Sequence, residues 1–290
     1  MRIKDIFLLI AQFLLPHHLF SKFFFFVANS RVVWFKNWII LNFIKKYDID
    51  LTYCDIKNYY DYSCFNDFFT RSIKTQDRLL NKENNQNSIL SPVDGLISQF
   101  GRIYNNSIIQ AKNHNYSIVN LLGNDLLDSN EFSNGNFINI YLSPKNYHRV
   151  HMPFNATLTK IKYIPGKLFS VNPIIVKHIP NLFARNERVV CLFESINGPM
   201  AIVLVGSMIV SSIETVWTGV VKPNCLLPKP FTFNRHDLID PLRLNKGDEM
   251  ARFKLGSTVI VLFGTNVRWN CSLSEQQEVL FGQEIGDFIF

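Results

Sequence analysis

Three dense apolar runs open the chain, at 6–15 (IFLLIAQFLL), 23–28 (FFFFVA) and 32–44 (VVWFKNWIILNFI), each cut short by polar residues. Pro16, His17, His18 and Lys22 separate the first from the second, and Asn29, Ser30 and Arg31 the second from the third. None reaches the roughly 20 consecutive apolar residues of a membrane-spanning helix. The pattern predicts two or three short helices. Residues 47–90 are polar and aromatic by turns; 65–70 (FNDFFT) reads as a short helix and 81–88 (NKENNQNS) as an exposed loop. Beyond that loop the rhythm changes. Short β-rich runs at 95–104, 107–111, 136–142, 156–164, 189–195, 201–210, 213–221 and 258–263 alternate with turn signals, and helical pieces at 119–122 and 126–132 interrupt them. The run 201–210 (AIVLVGSMIV) has no period-2 alternation, which predicts a strand covered on both faces. The expected class is α+β: amphipathic, membrane-associating helices over 1–85, then a predominantly antiparallel β domain over 86–290.

Charge sharpens the reading of the first segment. Of the net +7, residues 1–46 hold +6, through Arg2, Lys4, Lys22, Arg31, Lys36, Lys45 and Lys46 against Asp5 alone. Apolar side chains interleaved with cations suit a helix lying in the headgroup region of an anionic bilayer, each cation contributing about 1 kcal/mol there. A helical hairpin packed on the rest of the protein is the plainer alternative. A secretory signal fits less well, because Asp5 spoils its basic start and no A-x-A-like site follows. Bulky aliphatics between the cations, and the lack of any RNP-type or finger motif, argue against a nucleic-acid partner. At 47% hydrophobic and 18% charged the chain is not disordered. Its five cysteines are odd in number and include no C-x-x-C pair, which points to a reducing compartment rather than a disulfide or zinc scaffold.

Three segments could carry chemistry. In 91–95 (SPVDG), Asp94 sits in a Pro and Gly turn, where an Asx-turn acceptor is the ordinary role. In 141–153 (YLSPKNYHRVHMP), His148 and His151 lie between two prolines. No Glu lies between them and no third ligand is spaced nearby, so no metal site is read here. In extended backbone, residues three apart face opposite ways, so the two imidazoles should address different partners. In 253–263 (FKLGSTVIVLF), a Gly256-Ser257 step precedes an apolar strand; Gly206-Ser207 is the other Gly-Ser bond, and the residues alone do not choose between them. The order Asp, His, Ser is one in which carboxylate, imidazole and hydroxyl have been combined for nucleophilic catalysis.

Set side by side, these segments resemble the phosphatidylserine decarboxylases of the bacterial, membrane-associated branch. The resemblance runs nearly the whole length: the basic apolar N-terminus, SPVDG followed by LISQFGRI, QAKNHNYS (110–117), YLSPKNYHRVHMP, PGKLFSVN (165–172), NLFARNERVVCLF (181–193), SIETVWTG (212–219) and FKLGSTVI. Asn113 departs from the Gly usual in relatives, and Asn tolerates left-handed backbone next best.

The resemblance implies a pyruvoyl enzyme. Its Leu-Gly-Ser-Thr motif selects Gly256 and Ser257 as the self-cleavage site, giving a large chain 1–256 and a small chain 257–290 that form a heterodimer. Asp94, His151 and Ser257 then match the family's charge relay, with His151 as base and Asp94 fixing its tautomer, and His148 serves the decarboxylation or its reprotonation. Ser257 becomes the pyruvoyl group, the covalent cofactor, and holds the substrate amine as a Schiff base while phosphatidylserine becomes phosphatidylethanolamine. The implied setting is peripheral, on the cytoplasmic side of the cell membrane, with any higher oligomer left open. Lys112, His114 and Arg188 are candidates for substrate contact. A membrane-associated serine hydrolase using Asp94, His151 and Ser257 without self-cleavage, and a non-enzymatic membrane-surface binding module, are the competing readings.

Overall fold

The structure, a computed structural model, describes residues 9–10, 12–13, 16–75, 78, 86–111, 114–207, 212–221, 230–234, 242–254 and 257–289. Helices α1 (His17–Ala28) and α2 (Val33–Tyr47) form on the second and third apolar runs. Asn29 closes α1 by donating from both its backbone and side-chain nitrogens to Phe25 O. Lys45 and Lys46 lie in the last turn of α2, where the helix dipole favours cations. A short helix α3 (Phe65–Phe69) adds Phe65, Phe68 and Phe69 to Ala28, Ile40 and Tyr62 in a small core of their own. No helix among the described residues is long and apolar enough to cross a membrane. One side of this segment packs on the β domain: Gln12 Oε1 accepts from Ser170 N at 2.8 Å, and His17 meets the Phe169 ring at 5.7 Å. The other side leaves Leu19, Phe23, Phe26, Trp34 and Trp38 exposed.

The strands follow in chain order. First come β1 (Ser88–Leu90), β2 (Gly95–Arg102), β3 (Ser107–Ala111), β4 (His114–Ser117), β5 (Asn136–Leu142) and β6 (Arg149–His151). Next are β7 (Ala156–Ile164), β8 (Arg188–Ser195), β9 (Gly198–Val205), β10 (Ser212–Thr215), β11 (Gly219–Val220) and β12 (Phe231–Asn234). Last are β13 (Arg243–Leu244), β14 (Glu249–Lys254), β15 (Ser257–Phe263), β16 (Val267–Trp269), β17 (Glu278–Val279) and β18 (Glu284–Phe288). Helices α4 (Ile118–Leu121) and α5 (Leu126–Asn130) fall where the sequence predicts helical pieces, and α6 (Pro173–Val176) and α7 (Leu182–Arg185) are further short turns.

A nine-stranded antiparallel sheet dominates, in the order β12-β7-β8-β9-β15-β5-β2-β17 with β13 also on β7. Its two faces are both covered. On one face Ile140, Leu204, Val259 and Val261 meet Val150, Ile213 and Phe253 from the four-stranded sheet β11-β10-β14-β6 and Ile89, Ile285 and Phe288 from the three-stranded sheet β1-β18-β16. On the other, Val203, Val205, Ile260 and Leu262 meet the β3–β4 hairpin and helices α4, α6 and α7. This double burial explains the unalternating apolar run in β9, which lies between β8 and β15.

Two strand expectations change. The run at 213–221 is two strands, because the Thr215 and Thr218 hydroxyls bond at 2.6 Å and Thr215 Oγ1 accepts from Thr218 N, tying a turn over 216–218. The run at 201–210 starts earlier and ends at Val205, and residues 208–210 lie outside the described residues.

Candidate active site

Ser257 is the first residue of β15 and stands opposite Leu142 at the end of β5. The two-residue period of a strand places it on the face of Val259 and Val261, between the packed sheets, while Thr258 shares the other face with Ile260. Ser257 and Thr258 are both fully buried, and among the described residues neither hydroxyl has a hydrogen-bond partner. An unpaired buried hydroxyl costs about 1–3 kcal/mol, and in a well-packed core such an atom calls for a functional reason. The loop 143–147 leads from Leu142 to His148, whose carbonyl accepts from Phe253 N at 3.0 Å, four residues before Ser257. Short chain paths from both sides therefore bring His148 and Ser257 to one end of the sheet.

His148 is fully buried, with its ring 4.0 Å from that of Phe69 on α3. Nδ1 is 2.8 Å from Asn146 O. A carbonyl only accepts, so Nδ1 carries the proton and Nε2 presents a lone pair, an atom without a partner among the described residues. Burial, helped by the charge of Arg71, pushes this imidazole down to about 3, so it is neutral at physiological pH.

His151 faces a different set of groups. Nδ1–H donates to Gly247 O at 2.8 Å, and Nε2 accepts from the Tyr147 hydroxyl at 2.9 Å. Phe281 stacks on the ring at 3.7 Å. Burial, with smaller contributions from Arg149 and Arg78, pushes His151 down to about 4 against the opposing pull of the Gly247 carbonyl. Desolvation drives the Tyr147 phenol well above its usual range, so it stays a donor.

Asp94 is placed differently from the sequence expectation. Among the described residues it makes no hydrogen bond to His151. Its Oδ1 instead pairs with Arg78 and accepts from Phe281 N at 2.7 Å. The carbonyl of Gly247, not Asp94, fixes the His151 tautomer; the carboxylate acts one step away, by holding the residue whose ring clamps the imidazole. Gly95 is required beside it, since a Cβ there would come within 2.5 Å of Tyr141 O.

A cavity of about 430 Å³ opens beside this group, walled by Phe24, Phe43 and Phe69 from the N-terminal helices and by Tyr141, Leu142 and Ser207 from the β domain. Phe69 packs on His148 and Leu142 pairs with Ser257, so both residues lie directly behind the cavity wall. Val205 stands opposite Thr258, so Gly206 and Ser207 leave β9 at the sheet end where β15 begins. The two Gly-Ser steps thus occupy one neighbourhood. Gly256 and Lys112 lie outside the described residues. His114 is half-buried in the β3–β4 hairpin, opposite Ala111. Arg188, a candidate for substrate contact, is buried and its guanidinium donates to Leu121 O, Asn186 O and Asn120 O at 2.6–2.9 Å. Those donors are committed to the protein backbone.

Tyr147, Gly247, Phe281 and Phe69 were not read as site residues. Tyr147 adjoins His148 in the same motif, which is a signal of a kind. A backbone carbonyl such as that of Gly247 leaves none.

Comparison with known proteins gives one consistent result. A model of the phosphatidylserine decarboxylase family matches residues 65–287, and a second, described as PSD, matches residues 7–48. A phosphatidylserine decarboxylase proenzyme of Azotobacter vinelandii is 48% identical over 286 residues, covering 98% of each chain. The protein of the same name from Pseudomonas aeruginosa strain LESB58 is 47% identical over 284 residues, 98% of this chain and 97% of its own. That from Bordetella avium is 45% identical over 286 residues, 98% and 96% respectively.

Proposed function

Because the chain belongs to the phosphatidylserine decarboxylase family and converts phosphatidylserine to phosphatidylethanolamine and CO2, we propose that its active form arises by self-cleavage between Gly256 and Ser257. The carrying observation is the fully buried, unpartnered hydroxyl of Ser257 at the head of β15. Ser257 Oγ attacks the Gly256 carbonyl carbon and the peptide becomes an ester. Removal of the Ser257 α-proton expels the Gly256 carboxylate, and the dehydroalanine left behind takes up water and loses ammonia to give a pyruvoyl group.

His151 takes the serine proton. It already ends a hydrogen-bond chain, Tyr147 O–H to Nε2 and Nδ1–H to Gly247 O, so the proton enters at the Tyr147 end. Asp94 keeps the Phe281 ring over the imidazole. A pyruvoyl group at position 257 supplies a carbonyl that condenses with the substrate amine and absorbs the electrons that departing CO2 leaves behind. His148, buried and with the Nε2 lone pair open, accepts a proton from the reacting substrate and returns it at the α-carbon.

The exposed aromatics of α1 and α2, with the basic excess of residues 1–46, support a peripheral seat on the anionic cytoplasmic face, where rings settle at headgroup level. Free, buried Cys54, Cys64 and Cys191 fit a reducing compartment. Replacing both Trp34 and Trp38 by Ala should weaken binding to anionic vesicles by about tenfold or more in cosedimentation, since burying one such ring is worth roughly 2 kcal/mol. Unchanged binding would move the contact face elsewhere.

The test of self-cleavage is a denaturing gel with intact-mass analysis of the purified protein. Two chains are expected, the smaller beginning at residue 257, refractory to N-terminal sequencing and reactive with a hydrazide. A single 33.7 kDa chain with esterase activity would restore the hydrolase reading instead.

A further inference from the structure

Arg71 follows α3 and is 6% exposed. Removing a guanidinium from water is unfavourable, and this one is pulled below its usual range by burial. Its Nη2 donates to Lys145 O at 3.0 Å and to Asn146 O at 3.5 Å. Asn146 O is also the acceptor of His148 Nδ1–H. The residues just before Arg71 grip the same loop: Phe69 packs at a tilt on His148, and Thr70 O accepts from Arg149 Nε at 2.9 Å. Three consecutive residues thus hold the chain on both sides of His148.

We infer that Arg71 is a positioning residue for the decarboxylation: by anchoring the carbonyls of Lys145 and Asn146 it fixes the acceptor that orients the His148 ring, and so aims Nε2 at the reacting carbon. This rests on the reading of His148 given above. Both bonds leave one nitrogen, Nη2, so the strap needs a long side chain that ends in a multiple N–H donor, a requirement an ammonium also meets. The strap also has a second connection. Phe65 and Phe69 wall the cavity shared with α1 and α2, so the segment that sets His148 is continuous with the helices that meet lipid.

Arg71→Met and Arg71→Lys in the full chain test this. After processing, kcat and KM are measured on phosphatidylserine vesicles. In parallel, the His148 imidazole nitrogens are read by 15N NMR in the uncut Ser257→Ala background, with His148→Gln to assign the signals. Arg71→Met should lower kcat about tenfold with KM within about twofold, the pattern of lost orientation rather than lost binding. Its His148 signals should leave the pure Nδ1–H form, and Arg71→Lys should recover much of both. A wild-type kcat, a change confined to KM, or an unaltered Nδ1–H tautomer in Arg71→Met overturns the inference. Should Arg71→Met not fold, Arg71→Gln, which keeps a donor for one carbonyl, is judged by the same outcomes. A His148→Gln enzyme that retains kcat would instead retire the His148 reading, whereas loss there beside full activity in Arg71→Met retires Arg71 alone.

Discussion

Ser257→Ala should yield one folded chain of 33.7 kDa, with no carbonyl-bearing fragment and no decarboxylation above background. The expectation is absolute rather than graded because the same hydroxyl is both the nucleophile of the cleavage and the atom whose loss creates the cofactor. Without it no other group can supply the electron sink. Folding should survive, since β15 keeps its ladder to β5 and β9 whatever stands at its first position. Removing an unpaired buried hydroxyl also lifts a burden of about 1–3 kcal/mol. Ser257→Cys separates nucleophile from mere volume: a thiol can make the acyl shift, and slow cutting into the same two chains is expected. Normal cutting in Ser257→Ala would transfer the site to Gly206-Ser207, the other Gly-Ser step, which the fold places at the same sheet end.

That adjacency shows where the sequence stops being informative. Strand positions were legible because apolar runs bounded by turn residues leave a local trace, and β5, β7 and β15 formed on such runs. The choice of face was legible too: His148 and His151, three apart in extended chain, do meet different partners, Asn146 and Phe69 for one, Tyr147, Gly247 and Phe281 for the other. What failed to show was anything carried by backbone or by distant packing. The Gly247 carbonyl takes the tautomer-setting role expected of Asp94, and an acceptor without a side chain has no signature. For Arg188, a candidate for substrate contact, a sequence cannot reveal that three carbonyls already hold it. Arg71 lay in no recognised constellation, since its partners are carbonyls about seventy-five residues away.

The two histidines should divide the enzyme's life into two separately breakable steps. His151→Ala should slow cutting on the order of 10²- to 10⁴-fold, the usual worth of a positioned general base, read as the fraction of uncut chain over time by intact mass. His148→Ala should be cut and still lose kcat on phosphatidylserine by a similar factor. The pH dependence of cutting then follows from the burial of His151. The base must be neutral, and with its pKa pushed down to about 4 Nε2 stays unprotonated throughout the neutral range, able to take a proton relayed through the Tyr147 hydroxyl. Cutting should therefore be flat above about pH 5 and fall as pH drops through about 4, whereas an ordinary imidazole would impose that fall near 6.5. A limb near 6.5 would mean that His151 titrates in contact with water and that the Tyr147, Phe281 and Gly247 enclosure does not form before cleavage. Uncut His148→Ala beside normally cut His151→Ala would exchange the two roles, and with them the reason for two imidazoles with separate partners three residues apart.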